Sequence, residues 1–357
     1  MINCHTHIFT INHVPKNFLP WHLKLIAKLF LSKRLIKLFR LVKLNRTADL
    51  LKRFLNFKKI GNQYSQEEIF KHLRGFYPED TGFVTLSMDM EFMGAGKVVD
   101  SFDKQIMDLS QLKKKYQDKI YPFIFAHPER PNIYNLVKEY IENHHFAGIK
   151  IYPAIGYFPS DKRLHDVYAY AEKYQIPIIT HCARGGVYYK GKLTKDRRTD
   201  PLSGETHKKL KKGKFTDIYS DPDRYEIILS KYPKLKLCFA HYGGSDEWDK
   251  FLNESWHENV PDTWFQKINT LIDTYENVYT DIRYTLVRSD LFPILKSYLN
   301  SKPELHERVL FGTDYYMTEQ EGSERYFGMN LRGSLGEELW KQIAEKNPDE
   351  FLTNNIK

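Results

Sequence analysis

A chain of 357 residues with 41% apolar side chains can fill the core of one large α/β barrel or two ordinary domains. It holds no run of 18 or more apolar residues and its first strand pattern starts at residue 2, which argues against a membrane span or a leader peptide and leads to the expectation of a cytoplasmic protein. Three cysteines without a CxxC pair argue against a disulfide framework and read as reduced.

Residues 2–7, Ile2-Asn3-Cys4-His5-Thr6-His7, read as strand 1 and place two histidines two positions apart, on one face. A first insert, residues 12–78, follows. Within its segment 21–56, Leu25, Leu29, Leu35, Leu38, Phe39 and Val42 recur at spacings of three and four, with Lys24, Lys28, Lys33, Lys37 and Arg40 on other faces. This predicts an amphipathic basic helix or helix pair. Strand 2 is predicted at 82–88, a helix at 102–116, strand 3 at 120–126, a helix at 132–144, strand 4 at 147–152 and a helix at 164–174. Strand 5 is predicted at 176–181 and is followed by a second insert, a basic loop over 184–223. A helix at 224–231 leads to strand 6 at 235–241. A helix at 264–275, strand 7 at 277–282, another helix and strand 8 at 308–314 complete the alternation, and the tail from Glu337 reads as a final helix interrupted at Pro348.

Eight short apolar strands alternating with helices, with no break in composition, predict a single α/β domain over 1–357, a (β/α)8 TIM barrel. The net charge of +9 is concentrated in the inserts. Residues 16–59 hold thirteen Lys/Arg against Asp49, a net of +12, and residues 190–214 hold ten against Asp196, Asp200 and Glu205, a net of +7. The body of the protein is therefore mildly acidic. Inserts after strands 1 and 5 rise from one end of such a barrel, where they would steer an anionic substrate, or dock on an anionic membrane surface through residues 21–56.

The polar residues of the strands fall at their carboxyl ends: His5 and His7 on strand 1, Lys150 on strand 4, His181 on strand 5, His241 on strand 6 and Asp314 on strand 8. Catalytic groups of β/α barrels gather at that face, and closure brings strand 8 beside strand 1. Three imidazoles and a carboxylate suit zinc or a similar divalent ion. Any one of these histidines alone would read as a hydrogen-bonded structural residue. Asp89, His127, Arg130, Tyr152, Arg184 and Asp281 also fall at or just past strand ends and are candidate pocket residues, with Tyr152, Arg184, Asp89 and Arg130 as the candidate substrate contacts.

The stretches Asn3-Cys4-His5-Thr6-His7, Gly148-Ile149-Lys150-Ile151-Tyr152-Pro153, Ile178-Ile179-Thr180-His181, Cys238-Phe239-Ala240-His241-Tyr242-Gly243-Gly244 and Leu310-Phe311-Gly312-Thr313-Asp314 occur in that order. Together they resemble the amidohydrolase superfamily of metal-dependent barrels, and within it the branch containing aminocarboxymuconate-semialdehyde decarboxylase. The resemblance implies that His5, His7, His181 and Asp314 hold a divalent metal, most simply one zinc ion, and that His241 contacts substrate. Some members of the superfamily carboxylate a strand-4 lysine to bridge two metals. An uncarboxylated Lys150 facing substrate is the expectation here, and two ions remain open.

A bound divalent ion pulls the pKa of its water toward neutrality, Asp314 can take the proton, and His241 can polarise a carbonyl or hold a carboxylate. Catalytic roles are therefore expected for His241, Asp314 and Lys150. The leading function is hydrolysis of a C–N or C–O bond in a small anionic substrate. The alternative is metal-dependent, non-oxidative decarboxylation of an unsaturated acid, a C–C lyase. A phosphodiesterase resembling TatD-type barrels ranks third, because Lys150 stands where those barrels carry an acidic ligand, and no nucleic-acid partner is expected. A non-enzymatic membrane-surface protein is a fourth reading, and a homodimer is a further expectation.

Overall fold

The computed structural model describes residues 1–18, 61–62, 65–208, 210–254, 262–282, 289–321 and 323–356. Its centre is one sheet of eight parallel strands in chain order: β1 (Ile2–Thr6), β2 (Gly82–Leu86), β3 (Ile120–Phe125), β4 (Gly148–Ile151), β5 (Ile178–Ala183), β6 (Leu237–Gly243), β7 (Val278–Ile282) and β8 (Val309–Phe311). Each strand pairs with the next in parallel, from Ile2 beside Gly82 to Ile282 beside Phe311. The ring returns to its start where the N–H groups of Thr313 and Asp314 donate to the His5 carbonyl at 3.3 and 2.8 Å. This is the nearly closed (β/α)8 barrel that the alternation predicts.

Strands buried on both faces need apolar residues in continuous runs rather than in alternation. Inside the ring, Ile2, Cys4, Val84, Leu86, Phe123, Ile179, Cys238 and Leu310 pack together, joined by Phe351 from the C-terminal helix. The Phe351 ring lies 5.1 Å from that of Tyr279, so the tail seals the barrel interior. A larger core joins the outer strand faces to the surrounding helices. All three cysteines are free and buried, and burial pushes their thiols well above the ordinary range, so they remain protonated.

Several boundaries differ from the sequence expectation. β5 and β6 each run two residues further, which sets His181 and His241 inside their strands. β8 stops at Phe311, and Asp314 follows in a left-handed conformation with φ of 50°. Gly312 between them is required by contact, because a Cβ there would stand 2.7 Å from the Cβ of His5. Pro348 does not interrupt the last helix. A π-helical turn, Gln342–Lys346, precedes Asn347–Leu352 and sets Pro348 in a first turn, where a missing N–H costs nothing.

The insert 184–223 is more than a loop. It contains the short helices Lys195–Arg198 and Lys212–Tyr219 and an antiparallel bridge between Thr199 and Thr206. Its backbone is tied to the loops after β4 and β2, by Tyr189 N–H to the Ala154 carbonyl at 2.9 Å and Lys190 N–H to that of Met93 at 2.7 Å. The basic helical pattern of residues 21–56 lies outside the described residues. Among the described residues, no helix is long and apolar enough to cross a membrane.

Candidate active site

The ends of β1, β5, β6, β7 and β8 bring one set of buried polar side chains together. The ring of His5 lies 5.5 Å from that of His7 and 5.4 Å from that of His241, and the His181 ring lies 4.7 Å from His241. Asp314 reaches the same group, its Oδ1 4.0 Å from His7 Nε2. His5, His7, His181, His241 and Asp314, far apart in sequence, therefore share one buried cluster.

Hydrogen bonds decide which nitrogen each imidazole presents. Asp281 Oδ2 lies 2.7 Å from His5 Nδ1, and the Leu86 carbonyl lies 2.9 Å from His7 Nδ1. These acceptors place the ring proton on Nδ1 and the lone pair on Nε2 in both neutral rings. His181 is turned the other way. Its Nε2 lies 3.1 Å from the Ala183 carbonyl, which leaves Nδ1 as the acceptor that meets His241 Nε2 at 3.0 Å. His241 thus directs its Nε2 proton at His181.

Two Nε2 atoms, one Nδ1 and a carboxylate form a nitrogen and oxygen donor set of the kind that divalent ions take. Among the described residues, no three His, Cys, Asp or Glu side chains already stand at the spacing of a formed metal site. The feature that fits an ion is the arrangement of tautomers: His5 and His7 are anchored through Nδ1 and His181 through Nε2, the nitrogens a ligand would not use, and His181 Nδ1 would exchange its contact with His241 Nε2 for the ion.

Two backbone features hold this arrangement. His241, Tyr242, Gly243 and Gly244 all have positive φ, a conformation that costs a non-glycine residue about 1–2 kcal/mol. Asp281 Oδ1 accepts the His241 N–H at 2.8 Å and Gly244 N–H donates to the His241 carbonyl at 2.9 Å, so this turn is tied at both ends. One carboxylate, Asp281, therefore fixes the ring of His5 with one oxygen and the backbone of His241 with the other.

Tyr152 lies flat against His181, with centroids 3.9 Å apart and planes within 7°, and its hydroxyl accepts from the Val187 N–H at 3.2 Å. It links β4 to the insert that follows β5. Lys150 is fully buried on β4, and its Nζ lies 5.8 Å from the centre of the Tyr152 ring. These two residues place an amine and an aromatic ring side by side at the end of β4.

The remaining candidates engage other partners. Asp89 and Arg130 face each other at 2.6 Å, and the guanidinium also binds Glu91 at 2.7 Å and lies over Phe102. Burial raises the carboxyl of Asp89 despite that pairing. Arg184 donates to Glu247 at 2.6 Å and covers Trp264. His127 is buried against Phe92 and Tyr157, and burial, reinforced by Arg197, Arg130 and Arg163, holds it neutral. The bridging role of Asp281 and a buried carboxyl at Glu324 were not legible in sequence. Asp281 lies within β7, one residue from its end, and reads in sequence as one more strand-end candidate, and Glu324 lies ten residues past Asp314 with no motif around it.

A family model described as amidohydrolase matches residues 2–353. No curated protein matches the chain. Among solved structures, the chain is similar to a 5-carboxyvanillate decarboxylase from Novosphingobium aromaticivorans with bound manganese, at 12% identity and a TM-score of 0.54 over 90% of this chain and 94% of that one. It is also similar to a 2,6-dihydroxybenzoate decarboxylase from Rhizobium, at 12% identity and a TM-score of 0.52 over 83% and 91%. A third is an uncharacterised TIM-barrel protein from Bordetella bronchiseptica, at 17% identity and a TM-score of 0.52 over 84% and 89%. At these identities the likeness concerns the fold.

Proposed function

The chain belongs to the amidohydrolase family, and on that footing we propose that it is a metal-dependent enzyme that decarboxylates a small unsaturated or aromatic acid without an oxidant. The observation that carries this reading is Lys150, whose fully buried amine lies 5.8 Å from the centre of the Tyr152 ring. A buried lysine holds its charge best when an anion pairs with it, which suits a substrate carboxylate, and a flat wall suits a conjugated ring. That two solved structures of similar fold are decarboxylases of hydroxylated aromatic acids supports the choice.

In this reading His5, His7, His181 and Asp314 hold the divalent ion. When bound, the ion polarises substrate oxygen and lowers the pKa of water. Lys150 binds and orients the anionic substrate, and Tyr152 packs against its ring. As the carbon–carbon bond breaks and carbon dioxide leaves, the electron pair stays on carbon, which must gain a proton. His241 is assigned as its donor: with His181 Nδ1 given over to the ion, the Nε2 proton that now meets that nitrogen at 3.0 Å would turn to the substrate carbon.

Hydrolysis of an ester, amide or lactone is the second reading, favoured by the Asp314 carboxylate beside His7, where it could take a proton from water. The test is a product assay on protein loaded with manganese or zinc. Release of carbon dioxide from hydroxybenzoates or related unsaturated acids is expected. Turnover of lactones or esters with no carbon dioxide from any acid would replace the first reading by the second.

A further inference from the structure

Beside the first residues of β1 and just past the end of β8 lies a closed ring of hydrogen bonds that the chemistry above does not use. Glu324, at the start of the helix Glu324–Leu335, is fully enclosed. Its Oε1 accepts from the Tyr77 hydroxyl at 2.6 Å and from the Thr313 hydroxyl at 2.5 Å. Asn3 Nδ2 donates to the same two hydroxyls at 3.1 and 2.9 Å, so that each hydroxyl accepts once and donates once. The ring joins β1, the segment before β2, the end of β8 and the helix beyond it. The oxygen of the same Asn3 side-chain amide accepts the His5 N–H at 3.2 Å, and Thr313 directly precedes Asp314.

A buried carboxyl is an expensive way to join four segments, and apolar packing would do so at lower cost. What an apolar contact lacks is direction. The ring fixes the Thr313 hydroxyl and the Asn3 amide in angle as well as position, one residue from Asp314 and two from His5. Thr318 adds a hydrogen bond from its hydroxyl to the Thr313 carbonyl at 2.5 Å, and the Asp314 N–H donates to the His5 carbonyl at 2.8 Å across the same seam. Asp314 gains from such support, because its φ of 50° lies in the left-handed region, which carries a cost for any residue with a Cβ even though aspartate tolerates it better than most.

We propose that Glu324 is a positioning residue of the metal site, which acts through the Thr313 hydroxyl and the Asn3 amide to hold Asp314 and His5 in register across the β8–β1 seam. The proposal rests on the reading of Asp314 and His5 as metal ligands. It separates shape from hydrogen bonding. Glu324→Gln keeps an acceptor for both hydroxyls, whereas Glu324→Leu fills the space and leaves two buried donors unmatched.

The experiment titrates manganese into the metal-free full-length protein by calorimetry, with thermal unfolding of each metal-free variant alongside. Glu324→Gln should bind within about 3-fold of the parent, and Glu324→Leu and Thr313→Val each about 10–100-fold more weakly, the usual scale for partners behind a ligand. Because both act through one hydrogen bond, the double variant should bind little worse than either single one. If Glu324→Leu does not fold, Thr313→Val and Tyr77→Phe, which each delete one hydroxyl, carry the comparison with Glu324→Gln. A Glu324→Leu or Thr313→Val protein that melts earlier yet binds manganese like the parent would make the ring a fold stabiliser and overturn the proposal. Asp314→Asn is the control. Unchanged binding there would defeat the metal reading itself, whereas loss there with none in the ring variants would defeat only the positioning role.

Discussion

Replacing Asp281 by asparagine offers the sharpest test of how the site is held. The carboxylate has two acceptor oxygens, one 2.7 Å from His5 Nδ1 and the other 2.8 Å from the His241 N–H, both buried. An asparagine amide has one acceptor and one donor in the same space, so one of the two contacts must reverse. If the amide oxygen stays on His241, the NH2 group faces His5 Nδ1, which must then accept. The ring proton moves to Nε2, the nitrogen proposed for the metal. If the amide oxygen serves His5 instead, two donors face each other at His241, a buried mismatch of about 1–3 kcal/mol at a turn already in a left-handed conformation. The first arrangement avoids that clash and is the expected one. Manganese or zinc affinity should then fall about 10–100-fold, or about 1.4–2.8 kcal/mol, while the fold persists. Calorimetric titration measures the affinity and the nitrogen chemical shifts of His5 report its tautomer. Native affinity together with a proton moved to Nε2 would refute the reasoning, because a ligand that has lost its lone pair cannot bind as before.

Three further outcomes follow from the same geometry. His7→Ala should lower bound metal sharply, whereas His241→Ala should keep near-normal metal content and lose about 10²-fold or more in turnover; parallel loss of metal and activity in the second variant would make His241 a ligand, as metal analysis of both proteins would show. Gly312→Ala should destabilise the barrel by about 1–3 kcal/mol in urea unfolding, because its Cβ would stand 2.7 Å from the Cβ of His5, and native stability would mean that the seam can open at little cost. Burial raises Glu324 from 4.5 to about 7, so the protonated form is favoured in the fold: the stability it contributes is present below about 4.5 and is lost as pH rises through about 7. That interval corresponds to about 3 kcal/mol, and Glu324→Gln should remove most of it; equal pH dependence of unfolding in parent and variant would show that other groups set the profile.

The barrel was legible because parallel strands buried on both faces print themselves as short apolar runs, and eight of them alternate with helical patterns. The predicted cluster was legible for a related reason: a polar residue ending such a run has nowhere to point except the mouth. That rule located His5, His7, Lys150, His181, His241 and Asp314, and it also located Asp89, Arg130 and Arg184. It could not say which of these faced one another. Asp89 and Arg130 form their own pair, and Arg184 turns to Glu247, because a strand-end position fixes a side chain's origin and not its partner. The ends of β5 and β6 were misjudged by two residues because His181 and His241 interrupt the apolar pattern while the backbone ladder runs on beneath them.

What the partners behind the cluster do was illegible for a different reason, although Asp281 itself is among the strand-end candidates. Asp281 and Glu324 owe their roles to single oxygen positions, set by strand register and by the path of a helix after β8, and neither leaves a periodic trace. Both stand where the chain departs from relaxed geometry: Asp281 holds the left-handed His241, and Glu324 holds the segment that enters the left-handed Asp314. Positive φ at these two residues costs about 1–2 kcal/mol each, and a charge-assisted or multiply bonded carboxyl can offset that much. Strain and its support therefore occur in pairs, Asp281 with His241 and Glu324 with the segment entering Asp314. A turn that relaxed into the β region would swing His241 or Asp314 out of the group, so these supports hold side chains that the barrel alone would not aim.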